Sequence, residues 1–120
     1  MIGRQEPELV ARLMASSSAV VVPSLYEGFG LTALEGMACG TPVVAAACGA
    51  LPEVCGQAAL LVDPGPEGLA EGLLAVLEST EVAGRLRAAG PTRAATFSWD
   101  VAAERHLDVY DELSSLASRA

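Results

Sequence analysis

Three unbroken apolar segments constrain the fold of this chain more than any other feature. They lie at residues 19–22, 42–46 and 58–62, and none of them alternates with polar residues. Continuous apolar runs of this length are typical of strands that are buried on both faces, as in parallel sheets. Helical periodicity between the runs gives a β-α-β order, which requires right-handed crossovers. The sequence therefore predicts an α/β fold with a parallel sheet of about three strands and flanking helices.

Helices are predicted between and after these strands. Gly90 is expected to end the fifth helix, and Ser98 to cap the last one. His106 lies on the apolar stripe of the last helix, and we expect it to be packed or partly buried. Trp99 is expected to anchor this helix to the rest of the protein. The predicted segments are residues 7–15, a helix that starts near residue 32, and residues 51–54, 66–77, 81–89 and 99–116.

Charge and composition exclude several classes of function. The net charge is −8, and all seven basic residues are arginines that form no cluster. Such a chain is a poor partner for nucleic acid or for an anionic membrane surface. No apolar run approaches the roughly 20 residues of a membrane-spanning helix, and the first residues show no signal peptide. A cytoplasmic, globular protein is the default expectation.

The cysteines do not indicate a metal site. Cys39, Cys48 and Cys55 are odd in number and lack the paired spacing of zinc ligands. Because small apolar residues surround them, we expect buried thiols in a reducing compartment. No metal and no cofactor is expected.

Polar and glycine residues follow the first predicted strand. Gly28 and Gly30 remove side chains where a ligand could approach the backbone. The amides of Leu31, Thr32 and Ala33 would begin the next helix and be free to bind an anion such as phosphate. Glu27 in the loop and Glu35 in the helix, spaced Glu-x7-Glu, could accept hydrogen bonds from hydroxyl groups of a sugar.

Purely structural interpretations compete with this one. The segment from Thr32 to Glu35 has a capping-box pattern, in which Thr32 is the N-cap and Glu35 the third helical residue. Glu27-Gly28 also suits an ordinary turn. Other charged residues are expected to be solvated, namely Glu53, Arg85, Arg87 and Arg93.

The residues of this block resemble a known signature. Pro23-Ser24, Glu27-Gly28-Phe29-Gly30 and the segment 34–44 resemble the signature of retaining glycosyltransferases of the group-1/family-4 type. The resemblance continues through the segments 49–54 and 59–64 and through Phe97-Ser98-Trp99, in the order of the family. It implies the GT-B fold, in which two Rossmann-like domains enclose a cleft. Thr32 departs from the pattern, since many members have proline there.

The resemblance also implies roles for individual residues. Glu27 would be the catalytic residue and would contact hydroxyl groups of the transferred sugar. Gly28, Phe29 and Gly30 would lie against that sugar and the distal phosphate. Leu31 and Thr32 would hold the diphosphate, and Glu35 the ribose diol. The partner would be a nucleotide-diphosphate sugar, from which a glycosyl group passes with retention to an acceptor hydroxyl that the sequence does not identify.

The matching region corresponds to the C-terminal part of such an enzyme. Residues 1–97 would form a partial nucleotide-sugar-binding domain, and residues 98–120 its C-terminal helix. The family's N-terminal acceptor domain has no counterpart here, and the chain has no lysine to neutralise a leaving diphosphate. We expect the chain to be inactive alone, and to associate with itself or be marginally stable. There are three alternatives. The chain could be a non-catalytic interaction module, a nucleotide-sugar epimerase, or a glycoside hydrolase that uses Glu27 and Glu35 as a carboxylate pair.

Overall fold

A parallel three-stranded sheet forms the centre of the protein in a computed structural model, which describes residues 3–117. The strand order is β1-β2-β3, and Val21 lies opposite Val44, while Val44 also lies opposite Leu60. The fold class predicted from the apolar runs is confirmed. The elements in chain order are α1 (Pro7–Ser16), β1 (Val20–Val22), α2 (Leu31–Ala38), β2 (Val43–Ala46), α3 (Leu51–Cys55), β3 (Leu60–Val62), α4 (Pro66–Glu78), α5 (Thr80–Ala94) and α6 (Trp99–Ala117).

The central strand β2 divides the core into two clusters. All four of its residues are buried, because strands flank it on both sides and helices cover both faces. Val43 and Ala45 belong to the larger cluster, which includes Met37 of α2 and Leu51 of α3. Val44 points to the other face and packs with Val76 of α4 and Leu86 of α5. Alternate side chains of one short strand thus join helices on opposite faces of the sheet.

The fifth helix is longer than the sequence predicted. Gly90 does not end it, since α5 continues through Pro91 to Ala94. The glycine instead allows α5 to pack closely against α2. A Cβ atom at Gly90 would lie 2.9 Å from the carbonyl oxygen of Met37. The residue is therefore explained by packing between two helices rather than by a helix terminus.

The last helix was predicted correctly in its extent but wrongly in its packing. Ser98 caps it as expected, because its hydroxyl accepts a hydrogen bond of 3.1 Å from the amide of Val101. None of the residues of α6 is buried, however, and Trp99 is 90% exposed. His106 is also exposed, with its Nδ1 donating to the carbonyl of Ala102. The apolar stripe of α6 has the spacing of a packed helix. The helix extends away from the sheet, however, so that its apolar side chains stay exposed. None of the helices described between residues 3 and 117 has the length and apolar content needed to cross a membrane.

Candidate functional site

The loop between β1 and α2 lies at the carboxyl-terminal edge of the sheet, where ligands bind in open parallel sheets. The loop after β2 ends at the same edge and contacts it. The amide of Ala50 donates a hydrogen bond of 3.3 Å to the carbonyl oxygen of Glu27. Gly49 has φ +55°, and a Cβ atom there would lie 3.0 Å from the same oxygen. Glycine at this position allows the second loop to support the first.

Glu27 is half-buried in this loop, and its carboxylate is held in place. The hydroxyl of Ser24 donates a hydrogen bond of 2.7 Å to Oε1 of Glu27. This bond orients the carboxylate within the turn. This hydrogen bond was not predicted from the sequence, although the separation of three residues is typical of local turn bonds by serine.

Gly30, and not Thr32, is the N-cap of α2. It has φ +99°, which favours glycine, and a Cβ atom there would lie 2.8 Å from Cδ2 of Leu51. The capping box predicted for Thr32 and Glu35 is therefore wrong, since no side chain caps this helix. The positive φ favours glycine at the position where the helix begins, and the side chain of Leu51 packs against it. The carboxylate of Glu35 is consequently not used by the helix terminus.

The start of α2 presents unpaired backbone donors. The first amide with a partner in the helix is that of Leu34, which donates to the carbonyl of Gly30 at 3.1 Å. The amides of Leu31, Thr32 and Ala33 have no acceptor one turn earlier, as at every helix start. The helix dipole adds about half a positive charge at this end. This geometry suits a phosphate group.

The other predicted site residues surround this helix start. Gly28 is exposed, and a Cβ atom there would meet no atom within 4 Å. Glu35 is exposed and lines a groove of about 410 Å³ between α1 and α2, together with Val10 and Met14. Glu27 lines neither this groove nor the second one described below. The carboxylate pair that a glycoside hydrolase would need thus does not share a groove.

A second groove lies on the other side of α2. Its volume is about 640 Å³, and it separates the start of α2 from the first turns of α6. Phe29 and Leu31 contribute to one wall, and Phe97 and His106 to the other. Glu53, which is exposed, also lines it. The two grooves flank the same helix start.

Two aromatic rings and a guanidinium group pack together beside the second groove and support the loop between β1 and α2. The rings of Phe29 and Phe97 meet edge to face, with centroids 5.6 Å apart. The guanidinium carbon of Arg93 lies 4.8 Å from the centroid of the Phe97 ring. The sequence suggested that Arg93 is a solvated residue. This prediction is wrong, because its guanidinium packs against Phe97. Arg93 also donates hydrogen bonds to the carbonyls of Val54 and Glu53, which lie 39 and 40 residues away in the sequence, and no local pattern predicts these two contacts.

The cysteines are free thiols, with Cys55 buried and Cys39 and Cys48 half-buried. Burial raises the pKa of the Cys55 thiol, and the positive charge of Arg93 partly opposes this shift. Within residues 3–117, no group of three or more His, Cys, Asp or Glu side chains is arranged to hold a metal ion.

Most of the chain matches a known protein family. The profile of the family described as glycosyl transferases group 1 matches residues 1–93. The chain belongs to this family. Its fold is similar to that of the sucrose-phosphate synthase of Thermosynechococcus elongatus, with a TM-score of 0.82 and 34% identity over 96% of this chain and 30% of that one. The GT-B architecture implied by the resemblance is thereby supported.

Two curated relatives are enzymes that transfer sugars. A D-inositol 3-phosphate glycosyltransferase of a Nocardioides species is 45% identical over 86% of this chain and 23% of its own length. An MMP α-(1→4)-mannosyltransferase of Mycolicibacterium hassiacum is 44% identical over 92% of this chain and 28% of its own length. The chain thus spans about a quarter of the length of these relatives.

Proposed function

We propose that this chain forms the donor-binding part of a retaining glycosyltransferase. The observation that carries the proposal is the uncapped start of α2 at Gly30, which lies at the carboxyl-terminal edge of the sheet next to the carboxylate of Glu27. The donor would be a nucleotide-diphosphate sugar, and the acceptor would supply a hydroxyl group. Residues 1–97 would form the donor-binding unit, and residues 98–120 a helix attached to it.

The positions of the residues allow a specific arrangement of the donor. The amides of Leu31 and Thr32 would hold the diphosphate, because they lie at the positive end of the helix. Glu35 follows Leu31 by one turn, about 6 Å along the helix axis, and would bind the ribose diol. The groove against α1, which Glu35 lines, would then accept the remainder of the nucleoside.

The transferred sugar would lie on the loop side of the diphosphate. Gly28 and Gly30 leave room for the sugar against the backbone, together with that of Phe29. Glu27 would bind a sugar hydroxyl through its carboxylate, which Ser24 keeps oriented. Fixed backbone donors would stabilise the charge that develops on the departing diphosphate, a major contribution to catalysis in such sites.

We also propose that these 120 residues bind the donor without turnover. The matched regions make up only 23% and 28% of the two relatives that are named as enzymes, and this chain contains no lysine that could balance the diphosphate charge. A cytoplasmic location belongs to the same proposal. The three free cysteines favour it, since thiols stay reduced there.

Nucleotide titration tests the donor site directly. UDP, GDP and ADP are added separately while the backbone amide resonances are followed by NMR. At least one nucleotide should shift the resonances of residues 28–35, and Glu35→Gln should weaken its binding by about tenfold through loss of a charged acceptor. Glu78→Gln, at the exposed end of α4, is the matched control and should change nothing. Absence of any response at residues 28–35 would contradict the proposal.

A chimera tests the chemistry. The chain replaces the matching segment of the Mycolicibacterium hassiacum mannosyltransferase, and transfer is measured with the anomeric configuration of the product. Activity with retention is expected, and Glu27→Gln should lower it about 100-fold or more. A folded chimera without transfer would favour the non-catalytic module.

A further inference from the structure

Arg93 connects three separate parts of the chain. Its Nε donates a hydrogen bond of 2.9 Å to the carbonyl of Val54, and its Nη2 donates one of 2.6 Å to the carbonyl of Glu53. The same guanidinium lies over the ring of Phe97. One side chain from α5 thus binds the end of α3 and an aromatic ring at the base of α6. Arginine suits this position, because it combines a planar donor fork with stacking on aromatic faces.

Both sets of contacts lead to the same loop. On one route, Arg93 holds α3, whose first residue Leu51 packs against Gly30 and whose N-cap Ala50 donates to the carbonyl of Glu27. On the other route, Arg93 holds Phe97, whose ring packs against that of Phe29. Residues 27–30 are therefore supported from two sides by one guanidinium group.

The attachment of α5 to the body does not depend on Arg93. Leu86, Gly90 and Ala94 of the same helix are buried and provide the packing. The contacts of Arg93 are instead with two carbonyls of α3 and with the ring of Phe97, which packs against Phe29 of the loop. A role specific to the loop is consequently separable from a role in the stability of the fold.

We propose that Arg93 is a positioning residue for the loop 27–30 and the start of α2. It fixes the backbone donors and the Glu27 carboxylate before a ligand arrives, which lowers the cost of ordering them on binding. The part of this inference that concerns donor affinity rests on the proposed function. The part that concerns loop order does not, and the two are measured separately.

The first measurement is loop order in the ligand-free chain. In Arg93→Ala, the amide order parameters of Gly28, Phe29 and Gly30 should fall from about 0.85, typical of rigid backbone, to below about 0.6. Those of Val44 and Ala45 in β2 should not change. Arg85→Ala is the matched control, because Arg85 also donates to a distant carbonyl, that of Gln57, but does not contact α3 or Phe97 through any described bond. An unchanged loop, or an equal loss of order in β2, would overturn the proposal.

A second variant covers the case in which Arg93→Ala does not fold. Phe29→Leu keeps an apolar side chain at a position that is 42% exposed and removes the ring contact. It should loosen the loop in the same way, though less, since the route through α3 remains. If the loop of this variant is as rigid as in the unaltered chain, the contact between Phe29 and Phe97 does not support the loop, which would overturn this route of the proposal.

The third measurement adds the nucleotide that binds most tightly to the unaltered chain. Arg93→Ala should weaken its binding about tenfold at a temperature where the variant is fully folded, while Arg85→Ala binds normally. A loosened loop with unaltered nucleotide affinity would overturn the role in donor binding. If no nucleotide binds the unaltered chain, the proposed function fails, and the result for loop order still decides the positioning role.

Discussion

The strand β2 and the helix α6 show how differently apolar residues are used in one chain. The four residues of β2 are completely buried, whereas none of the 19 residues of α6 is buried. Both segments have the apolar pattern expected of a packed element. The difference is in their neighbours, because β2 has strands on both sides and helices on both faces, and α6 touches the body only near its start. An apolar pattern specifies a face that can be buried, and the surroundings determine whether it is.

Removing one large apolar side chain next to β2 and one from α6 should give the largest difference in the free energy of unfolding. Met37 packs beneath β2 and has no exposed surface, so Met37→Ala should lower the free energy of unfolding by about 2–5 kcal/mol. Leu113 of α6 is 57% exposed, and Leu113→Ala should change it by less than about 0.5 kcal/mol. Urea denaturation followed by circular dichroism measures both. Similar losses in the two variants would show that α6 is packed in solution.

Two glycines of α5 sharpen the comparison within one helix. Gly90→Ala places a Cβ atom 2.9 Å from the Met37 carbonyl oxygen, which forces the two helices apart. We expect a loss of about 1–3 kcal/mol, as in overpacked cores. Gly84→Ala meets no atom within 4 Å and should stabilise the protein by about 0.5–1 kcal/mol through helix propensity. Thermal unfolding of both variants would reveal this opposite sign, and stabilisation by both would contradict the packing described for Gly90.

Alkaline pH should weaken the core region through Cys55. Burial raises the pKa of its thiol above that in the unfolded chain. The stabilising contribution is therefore complete below the unfolded pKa and is lost as the pH rises from there through the folded pKa. The slope from this one group is at most about 1.4 kcal/mol per pH unit. Cys55→Ala should flatten the fall in unfolding free energy between pH 8 and pH 10, roughly the range of thiol ionisation. An equal slope in both proteins would exclude the thiol as its cause.

Association between copies should involve α6 without changing the stability of the fold. The double substitution Leu107→Ser and Leu113→Ser removes two side chains that are 60% and 57% exposed. We expect self-association to weaken at least tenfold, roughly 1.4 kcal/mol, in sedimentation velocity. Leu74→Ser with Leu77→Ser is the matched control on α4, at 52% and 53% exposure. If only the α4 pair prevents association, the surface lies there instead.

The three strands and their parallel pairing could be predicted because buried parallel strands leave a strong local signal. The three apolar runs contained β1, β2 and β3, and the structure shortened each by one or two residues. The location of the candidate site followed from the same topology, since the loops after β1 and β2 must meet at one edge of a parallel sheet. Glu27 and the amides at the start of α2 lie there as predicted. Their roles toward a ligand stay predictions.

Other features depend on contacts that local patterns do not contain. The pattern from Thr32 to Glu35 suggested a capping box, but the helix begins at Gly30, whose positive φ favours glycine and against which Leu51 packs. The local sequence suggested that Gly90 ends a helix. Glycine is needed there instead because the backbone of Met37, on another helix, lies too close for a side chain. Periodicity identified the stripe of α6 without showing whether anything covers it.

The sequence by itself determined the β-α-β order, the parallel sheet and the family, because these depend on local apolar patterns and on a long ordered motif. Only the tertiary structure decided how the loop at Glu27 is held. Ser24 orients its carboxylate, Ala50 and Gly49 support its backbone, and Arg93 reaches it through α3 and Phe97. The contacts of Ser24 with Glu27 and of Arg93 with Phe97 are local in the sequence. The others join residues far apart in the chain, and they form only because the folded core brings those residues together.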